Sequence, residues 1–208
     1  MIRILLIRHG ATDLLGRVLY GRMPGVHLNS VGLSQAQALA QALQSRHRLA
    51  DVISSPLDRA LETARPIAEA QGLAVSLDDA FTEIDFGSWM GKPFSELHDL
   101  ELWKRYYRFR ATTRPPGGES MMDVQSRAWE GVARILDRHS RTHETSVAVI
   151  THGDVIRALL LLVLGMSIDH IQRIEAAPAS VSEILIDRSE LRVRTINETF
   201  SPNRVSDL

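Results

Sequence analysis

Two histidine–glycine pairs carry the side chains best suited to chemistry in this sequence. Arg8, His9 and Gly10 follow one apolar run, and His152 and Gly153 follow a second. Each pair brings an imidazole to the end of a predicted strand, and the first adds a cation beside it. Glycine at such a point lets the backbone turn sharply and approach a ligand closely. Either pair alone also fits an ordinary surface loop, so other residues must decide between the two interpretations.

The apolar runs at 2–7 and 147–150 predict buried strands. They are apolar at nearly every residue, which is typical of a parallel sheet that helices cover on both faces. In open α/β sheets, ligands bind beyond the carboxyl ends of the strands. Both histidine–glycine pairs are therefore predicted to lie where such sheets bind ligands.

The remaining pattern predicts the fold class. Residues 182–186 and 191–196 alternate like an edge hairpin, and an amphipathic segment precedes the Pro-Pro-Gly-Gly run at 115–118. We expect an α/β fold with three α/β/α layers, a mostly parallel central sheet and one antiparallel edge strand. A helical excursion at about 93–118 should lie over the active site. Helices are predicted at 30–43, from 56 or 57 onward, at 120–139 and at 155–164.

Composition limits the class of protein. A length of 208 residues fits a single domain, 1–208, in which about 197–208 form a loose polar tail. The formal net charge of -1 gives no global attraction to nucleic acid or to an anionic membrane. The absence of cysteine excludes thiolate nucleophiles and thiolate metal sites. The first apolar run is too short for a signal peptide, so we expect a cytoplasmic protein.

Further polar residues converge on the same predicted edge. Arg59 lies in the first turn of the helix that follows a short strand at 52–54, and so arrives beside Arg8. Glu83 and Asp85 supply carboxylates in a glycine-containing and aromatic loop. A phosphoryl group carries charge on three oxygens, and arginine binds such oxygens with its planar fork. The residue types therefore suit phosphoryl chemistry.

Five blocks, taken in order, resemble the histidine phosphatase superfamily, also called the phosphoglycerate mutase-like family. The resemblance covers roughly residues 2–190. The blocks are Leu6-Ile7-Arg8-His9-Gly10-Ala11-Thr12, the segment at 54–64, the segment at 83–91, Gly117-Gly118-Glu119-Ser120 and the segment at 151–157.

The resemblance implies a role for each matched residue. His9 would be the nucleophile and form a phosphohistidine, while Glu83 would protonate the leaving oxygen and later activate water. Arg8, Arg59 and His152 would hold the phosphoryl oxygens. The resemblance implies no metal and no cofactor. Further substrate contacts are assigned to Gly10, Thr12, Arg17, Gly21, Gly153 and Asp154.

The charge state of His9 is open at this point. The imidazole must be neutral to attack, and neighbouring cations lower the pKa of a histidine by like-charge repulsion. A bound phosphate dianion would raise the same pKa, so the sequence does not fix the net shift.

Two positions depart from the family pattern and concern the substrate. Leu15 stands where many members, the mutases above all, have asparagine, and Asp154 stands where a small residue is frequent. The segment between Glu83 and Gly118 is also short beside that of the mutases, where an insertion clamps a carboxylate with basic residues. We interpret Arg105, Arg108 and Arg110 as a solvated face rather than such a clamp.

The predicted function is a phosphomonoester hydrolase that acts on small phosphorylated metabolites. The Pro-Gly-Gly-Glu-Ser run resembles small bacterial phosphatases, including the α-ribazole phosphatase type. Inorganic phosphate or vanadate should inhibit it, and a homodimer is one assembly that the sequence leaves open. The alternatives are a cofactor-dependent phosphoglycerate mutase and a catalytically idle regulator that binds phosphorylated ligands. A metal site built from Asp13, Asp85, Asp154 and the histidines lacks any ligand-spacing motif.

Overall fold

A six-stranded sheet forms the centre of the computed structural model, which describes residues 1–140, 144–187 and 190–200. The strand order is β3-β2-β4-β1-β5-β6. The strands are β1 (Ile2–Arg8), β2 (Leu49–Ser54), β3 (Val75–Leu77), β4 (Thr145–Thr151), β5 (Val181–Ile186) and β6 (Leu191–Glu198).

Four parallel strands make up most of this sheet, as the sequence predicts. β1 and β2 both pair in parallel with β4, and β3 pairs in parallel with β2. β5 pairs in antiparallel with β1, and β6 pairs in antiparallel with β5, so the predicted antiparallel edge is confirmed and forms the predicted hairpin. β6 also continues through Asn197 and Glu198, which places these residues in the hairpin instead of a loose tail. Residues 201–208 of the predicted tail lie outside the described residues.

Helices cover both faces of the sheet because its central strands are apolar on both sides. Leu5 and Ile7 of β1 pack with the helices α1 and α2, whereas Ile4 and Leu6 pack with α5 and α6 on the opposite face. The three predicted layers are confirmed. The helices are α1 (Ser30–Arg46), α2 (Asp58–Gln71), α3 (Phe94–Leu97), α4 (Glu101–Arg108), α5 (Met121–Arg138) and α6 (Gly153–Val163).

Two helix starts bear directly on the site. α6 begins at Gly153, two residues before the predicted start, so His152 is its N-cap residue. α2 begins at Asp58 because Leu57 still has extended backbone angles, which leaves Arg59 in the first turn as predicted. Orphan N–H groups and a positive dipole end characterise a helix N-terminus, so both starts favour anions nearby.

The excursion consists of α3 and α4 and rests on an aromatic cluster. Trp103 and Tyr106 of α4 are buried, and both stack against Trp89 with ring centroids 5.3 and 5.6 Å apart. The backbone N–H of Leu19 donates to the Lys92 carbonyl at 2.9 Å, which ties the entrance of the excursion to the loop after β1. This part of the chain therefore packs against the loop that leaves the end of β1.

The register of the sheet brings the chemical residues together. Arg8 pairs with Thr151, and Ser54 pairs with Ile150, so β1, β2 and β4 end side by side. The turn after β1 lies so close to α1 that a Cβ on Gly10 would be 2.7 Å from the Gly32 carbonyl oxygen. Glycine at position 10 therefore allows the contact that holds this turn in place.

Among the helices of the described residues, none combines the length and the apolar character needed to cross a lipid bilayer.

Candidate active site

The carboxyl ends of three neighbouring strands bring the predicted catalytic residues into one pocket. His9 follows β1, Arg59 lies in the first turn of α2 after β2, and His152 links β4 to α6. The side chain of Arg59 contacts both imidazoles, and the two rings lie 5.2 Å apart between centroids. The structure places these three side chains in contact, whereas their catalytic roles stay predictions.

His9 is buried and has its ring fixed by two contacts. Its Nδ1 lies 2.8 Å from the Gly10 carbonyl oxygen, which can only accept a hydrogen bond, so Nδ1 carries the proton. Nε2 then has a free lone pair, which accepts from Nε of Arg59 at 3.2 Å. This tautomer directs the unprotonated nitrogen of His9 at the guanidinium.

Burial first, and then the charges of Arg59 and Arg8, hold the pKa of His9 well below its ordinary value of 6.5. The Gly10 carbonyl opposes this shift. The pKa of His152 is also held well below 6.5, by burial and then by Arg59. Both imidazoles are therefore neutral at pH 7 in the ligand-free protein, which is the state that a nitrogen nucleophile needs.

Arg59 is fully buried, with 0% of its surface exposed. Its Nη2 donates to the Gly21 carbonyl at 2.6 Å and lies 3.3 Å from Nδ1 of His152. The guanidinium also stacks over the Tyr20 ring at 4.8 Å. Its Nη1 is buried yet donates no hydrogen bond within the described residues.

Arg8 also has a buried guanidinium nitrogen that donates no hydrogen bond within the described residues. Its Nη1 donates to the Ala176 carbonyl at 2.6 Å, whereas its buried Nε donates to no group among the described residues. Burying an unpaired charged donor is costly, so two such donors beside His9 favour an anion with several oxygens.

His152 is oriented by a hydroxyl group. Its Nε2 lies 2.7 Å from Oγ of Ser55, the residue that follows β2. Because Nδ1 accepts from Arg59, Nε2 carries the proton and donates it to Ser55. Ser55 therefore fixes the tautomer of His152.

Glu83 is the acidic group of the pocket. Burial first, and then the Asp154 carboxylate, raise its pKa from 4.5 to about 7. The Ile84 N–H, which donates to Oε1 of Glu83 at 3.0 Å, and the charges of Arg59 and Arg8 only partly offset this rise. A carboxyl group with this pKa can give and take a proton near neutral pH.

The residues predicted to contact the substrate differ in burial and in hydrogen-bond partners. Thr12 is buried and its Oγ1 has no partner among the described residues, whereas the side chain of Arg17 is exposed. Gly21 contributes its carbonyl to Arg59 rather than a free group. A Cβ on Gly153 would lie 3.5 Å from the guanidinium carbon of Arg8. Gly10 donates its backbone N–H to Oγ1 of Thr63 at 3.0 Å.

Asp154 is tied to two arginines. Its carboxylate lies 3.1 Å from Nη1 of Arg157 and 3.6 Å from Nη1 of Arg110. Arg110 is only 5% exposed and stacks over the rings of Tyr106 and Tyr107 at 4.4 and 4.5 Å. Interpreting Arg110 as part of a solvated face was therefore wrong, because it follows the last turn of α4 and folds back under the two tyrosines.

Three other residues of the site were given no role by the sequence analysis. Ser55, Thr63 and Tyr20 are single polar or aromatic residues whose partners lie tens of positions away. Ser55 and Thr63 lie in the matched segment at 54–64, but the sequence does not indicate which groups they contact.

The metal-site alternative finds no support in side-chain placement. Asp13 Oδ1 accepts from Asn29, Asp85 Oδ1 accepts from the Gly87 N–H, and Asp154 pairs with Arg157. In the described parts of the chain, no group of three or more histidine or acidic side chains is placed to hold a metal ion.

Comparison of the sequence with known protein families identifies the family of this chain. Residues 4–199 match the sequence profile of the histidine phosphatase superfamily, branch 1. The chain belongs to this superfamily, and the predicted family is confirmed.

Particular relatives share most of this chain. It is 38% identical over 201 residues to the bifunctional protein Rv2228c of Mycobacterium tuberculosis, a match that covers 95% of this chain but 54% of the relative. It is 32% identical over 174 residues to a glucosyl-3-phosphoglycerate phosphatase of Mycolicibacterium vanbaalenii, covering 81% of this chain and 76% of the relative. The chain thus spans about half the length of the first of these relatives.

A solved structure has the same fold. The mycobacterial glucosyl-3-phosphoglycerate phosphatase Rv2419c in complex with VO3 superposes with a TM-score of 0.84 at 28% identity. The superposition covers 95% of this chain and 99% of that one.

The neutral, Nδ1-protonated state of His9 predicts a distinct nitrogen NMR signature. In the ligand-free protein, the His9 and His152 rings should show no protonation step near pH 6.5. The exposed His27, whose Nδ1 lies 2.6 Å from Glu62, should titrate above 6.5, because the hydrogen bond and charge of Glu62 raise its pKa. Long-range imidazole ¹H–¹⁵N correlation spectra between pH 4 and 9 provide the measurement. A His9 ring that protonates at or above pH 6.5, or one with the proton on Nε2, would contradict the geometry.

Proposed function

We propose that this protein is a phosphomonoester hydrolase that acts through a phosphohistidine on His9. The proposal rests chiefly on the two buried, unpaired donors of Arg59 and Arg8 beside the unprotonated Nε2 of His9. Together they suit a group that presents several anionic oxygens and an electrophilic centre. Family membership and the phosphatases among the relatives support the same reaction class.

The first step transfers the phosphoryl group to the protein. The Nε2 lone pair of His9 forms a bond to phosphorus while the ester P–O bond breaks. The leaving oxygen takes the proton of Glu83, whose pKa of about 7 leaves a large protonated fraction at neutral pH. The charges of Arg59 and Arg8 and the Nε2–H of His152 would stabilise the charge on the transferring oxygens.

The second step returns His9 to its starting state. Water attacks the phosphorus, gives a proton to the Glu83 carboxylate, and the P–N bond breaks with its electron pair returning to Nε2 of His9. Inorganic phosphate leaves and Glu83 is again protonated. This cycle is two-step covalent catalysis in which one carboxyl group is acid and then base.

Assays of the products formed from phosphate esters separate the proposed hydrolase from a phosphoglycerate mutase and from an idle regulator. A phosphoglycerate mutase would release isomerised monophosphate rather than inorganic phosphate, and an idle regulator would bind phosphate esters without turnover. Assays should contain a chelator, because the mechanism needs no metal. Activity that is lost on chelation and restored by Mg²⁺, Mn²⁺ or Zn²⁺ would refute it. A cytoplasmic location and a homodimer stay predictions from the sequence.

We further propose that the leaving alcohol lies in a cavity of about 170 Å³ between Asp154 and α4. Its lining includes Phe86, Trp103 and Tyr106 together with the guanidinium groups of Arg110 and Arg157. The Nε atoms of both arginines are buried and donate to no described group. The single carboxylate of Asp154 pairs with both guanidinium groups, which leaves an excess of positive charge at the cavity. This balance favours an alcohol that carries a carboxylate, as the substrate named for the glucosyl-3-phosphoglycerate phosphatases does.

The Glu83→Gln variant tests the proposed mechanism through the leaving group. An alkoxide must be protonated as it departs, whereas nitrophenolate leaves as a stable anion. The variant should therefore hydrolyse alkyl phosphates at least a hundredfold more slowly, a loss of about 3 kcal/mol or more. With nitrophenyl phosphate it should release a burst of nitrophenol near one per site and then stall. Rapid-mixing kinetics, with acid-labile and base-stable phosphate measured on the protein, would record both.

Two controls accompany this experiment. Asp85→Asn should keep steady turnover, and His9→Ala should give neither burst nor trapped phosphate. Because Glu83 must be protonated to donate, wild-type turnover of alkyl phosphates should fall as the pH rises through about 7. The ionisation of the substrate affects wild type and Glu83→Gln alike, so it cancels when the wild-type rate is divided by the Glu83→Gln rate at each pH. Equal slowing of both substrates without a burst would reject Glu83 as acid and base.

Paired substrates test the role assigned to Arg110. 3-Phosphoglycerate and glycerol 3-phosphate differ in a carboxylate, as do phosphoserine and phosphoethanolamine. Arg110→Met should lower kcat/KM for the carboxylate member of each pair by about 10- to 100-fold, the usual value of a hydrogen bond to a charged group. The kcat/KM for the substrate without the carboxylate should change less than threefold. In Arg108→Met, kcat/KM for both substrates of each pair should also change less than threefold, since Arg108 is exposed on α4. Equal losses on both members of a pair would show that Arg110 does not contact the carboxylate.

A further inference from the structure

Glu119 lies at the centre of a hydrogen-bond network behind the loop that carries Glu83. Its Oε2 accepts from Nη2 of Arg22 at 2.9 Å, from Nη2 of Arg127 at 3.1 Å and from the backbone N–H of Asp85 at 3.0 Å. Its Oε1 accepts from Nε of Arg127 at 3.0 Å. The Glu119 backbone N–H also donates to the Asp85 carbonyl at 2.9 Å. Five hydrogen bonds therefore join Glu119 to its neighbours on three different segments.

The two arginines that bind Glu119 also bind the backbone of Glu83. Nε of Arg22 donates to the Glu83 carbonyl at 2.7 Å, and Nη2 of Arg127 donates to the same oxygen at 3.2 Å. Arg127 reaches further along the same segment, where its Nη1 donates to the Ala80 carbonyl at 2.8 Å. The position of Glu83 is thus fixed through its main chain, while its carboxyl group remains available to the pocket.

The carboxylate of Glu119 determines where both guanidinium groups lie. The Arg22 and Arg127 side chains come from a loop and from α5, and neither contacts the other through a hydrogen bond in the described residues. Glu119 accepts from both, so it sets their separation around the Glu83 carbonyl. Burial raises the pKa of Glu119, but the hydrogen bonds from Arg127 and from the Asp85 N–H, together with the charges of Arg127 and Arg22, outweigh burial and lower it. The carboxylate is therefore charged whenever the site is in use.

We infer that Glu119 is a positioning residue for proton transfer: through Arg22 and Arg127 it holds the backbone of Glu83 where its carboxyl group reaches the leaving oxygen. The inference rests on the proposed role of Glu83 as acid and base. Proton transfer requires heavy atoms within about 3 Å, so a small displacement of this backbone slows only steps that use the proton. Phosphate binding by Arg59, Arg8 and His152 uses none of these contacts.

A comparison of Glu119→Gln with wild type on an alkyl phosphate and on nitrophenyl phosphate tests this inference. Glutamine keeps the shape of Glu119 but loses the charge that holds two arginines. We expect kcat for the alkyl phosphate to fall at least tenfold with KM changed less than threefold. The rate of the nitrophenol burst and the affinity for vanadate should stay within threefold of wild type. Arg22→Met, which removes one donor to the Glu83 carbonyl, should reproduce this selective loss.

Matched controls and outcomes separate this inference from the proposed function. Glu130→Gln removes a charge from an exposed position on α5 and should leave both substrates unaffected. Thermal unfolding of each variant would show whether the fold is kept, and Arg22→Met carries the test if Glu119→Gln unfolds. If Glu119→Gln slows reaction of both substrates equally, loses vanadate affinity or has no effect, Glu119 is not a positioning residue for proton transfer. Turnover by the wild-type protein would still support the proposed phosphatase activity in each of these cases. Wild-type protein without a phosphohistidine or turnover would overturn both.

Discussion

The buried guanidinium of Arg59 is the interaction on which the site depends. It is fully enclosed, and within the described residues no carboxylate lies at salt-bridge distance from it. Among the described residues its side chain contacts a carbonyl, two imidazoles and the face of Tyr20, while the Glu83 carboxylate acts on it from beyond salt-bridge distance. A buried cation without a paired anion is costly, and a bound dianion would recover that cost. The strands that end around Arg59 thus keep open a place for a negatively charged group.

Burial and the charge of this cation together lower the pKa of the two imidazoles beside it. His9 and His152 thus stay neutral, whereas burial and Asp154 keep a proton on part of the Glu83 population at pH 7. The protein therefore shifts the pKa of its imidazoles downward and that of its carboxyl group upward. Environments that separate titratable groups in this way assign one as nucleophile and another as acid.

The sequence predicted those parts of the site that depend on local pattern. Apolar runs that end in His9 and His152 locate two strand ends, and the first turn of a helix locates Arg59 beside them. Contacts between distant segments could not be predicted in this way. Arg110 resembles a solvated arginine until the chain folds it under Tyr106 and Tyr107, and nothing near Glu119 in the sequence indicates that it holds two arginines from separate elements. The start of α6 at Gly153, two residues before the predicted start, likewise depends on His152 as the N-cap residue.

Calorimetric titration with vanadate tests the central role of Arg59 most directly. Arg59→Met removes the buried fork, and Arg65→Met removes an exposed arginine from the same helix as a control. Arg59→Met should weaken vanadate binding by about 30-fold or more, equivalent to ~2–4 kcal/mol, while Arg65→Met should bind like wild type. Thermal unfolding and the His27 NMR signal verify that each variant is folded. Unchanged vanadate affinity in a folded Arg59→Met protein would place Arg59 outside the anion site and show that the site does not depend on its guanidinium.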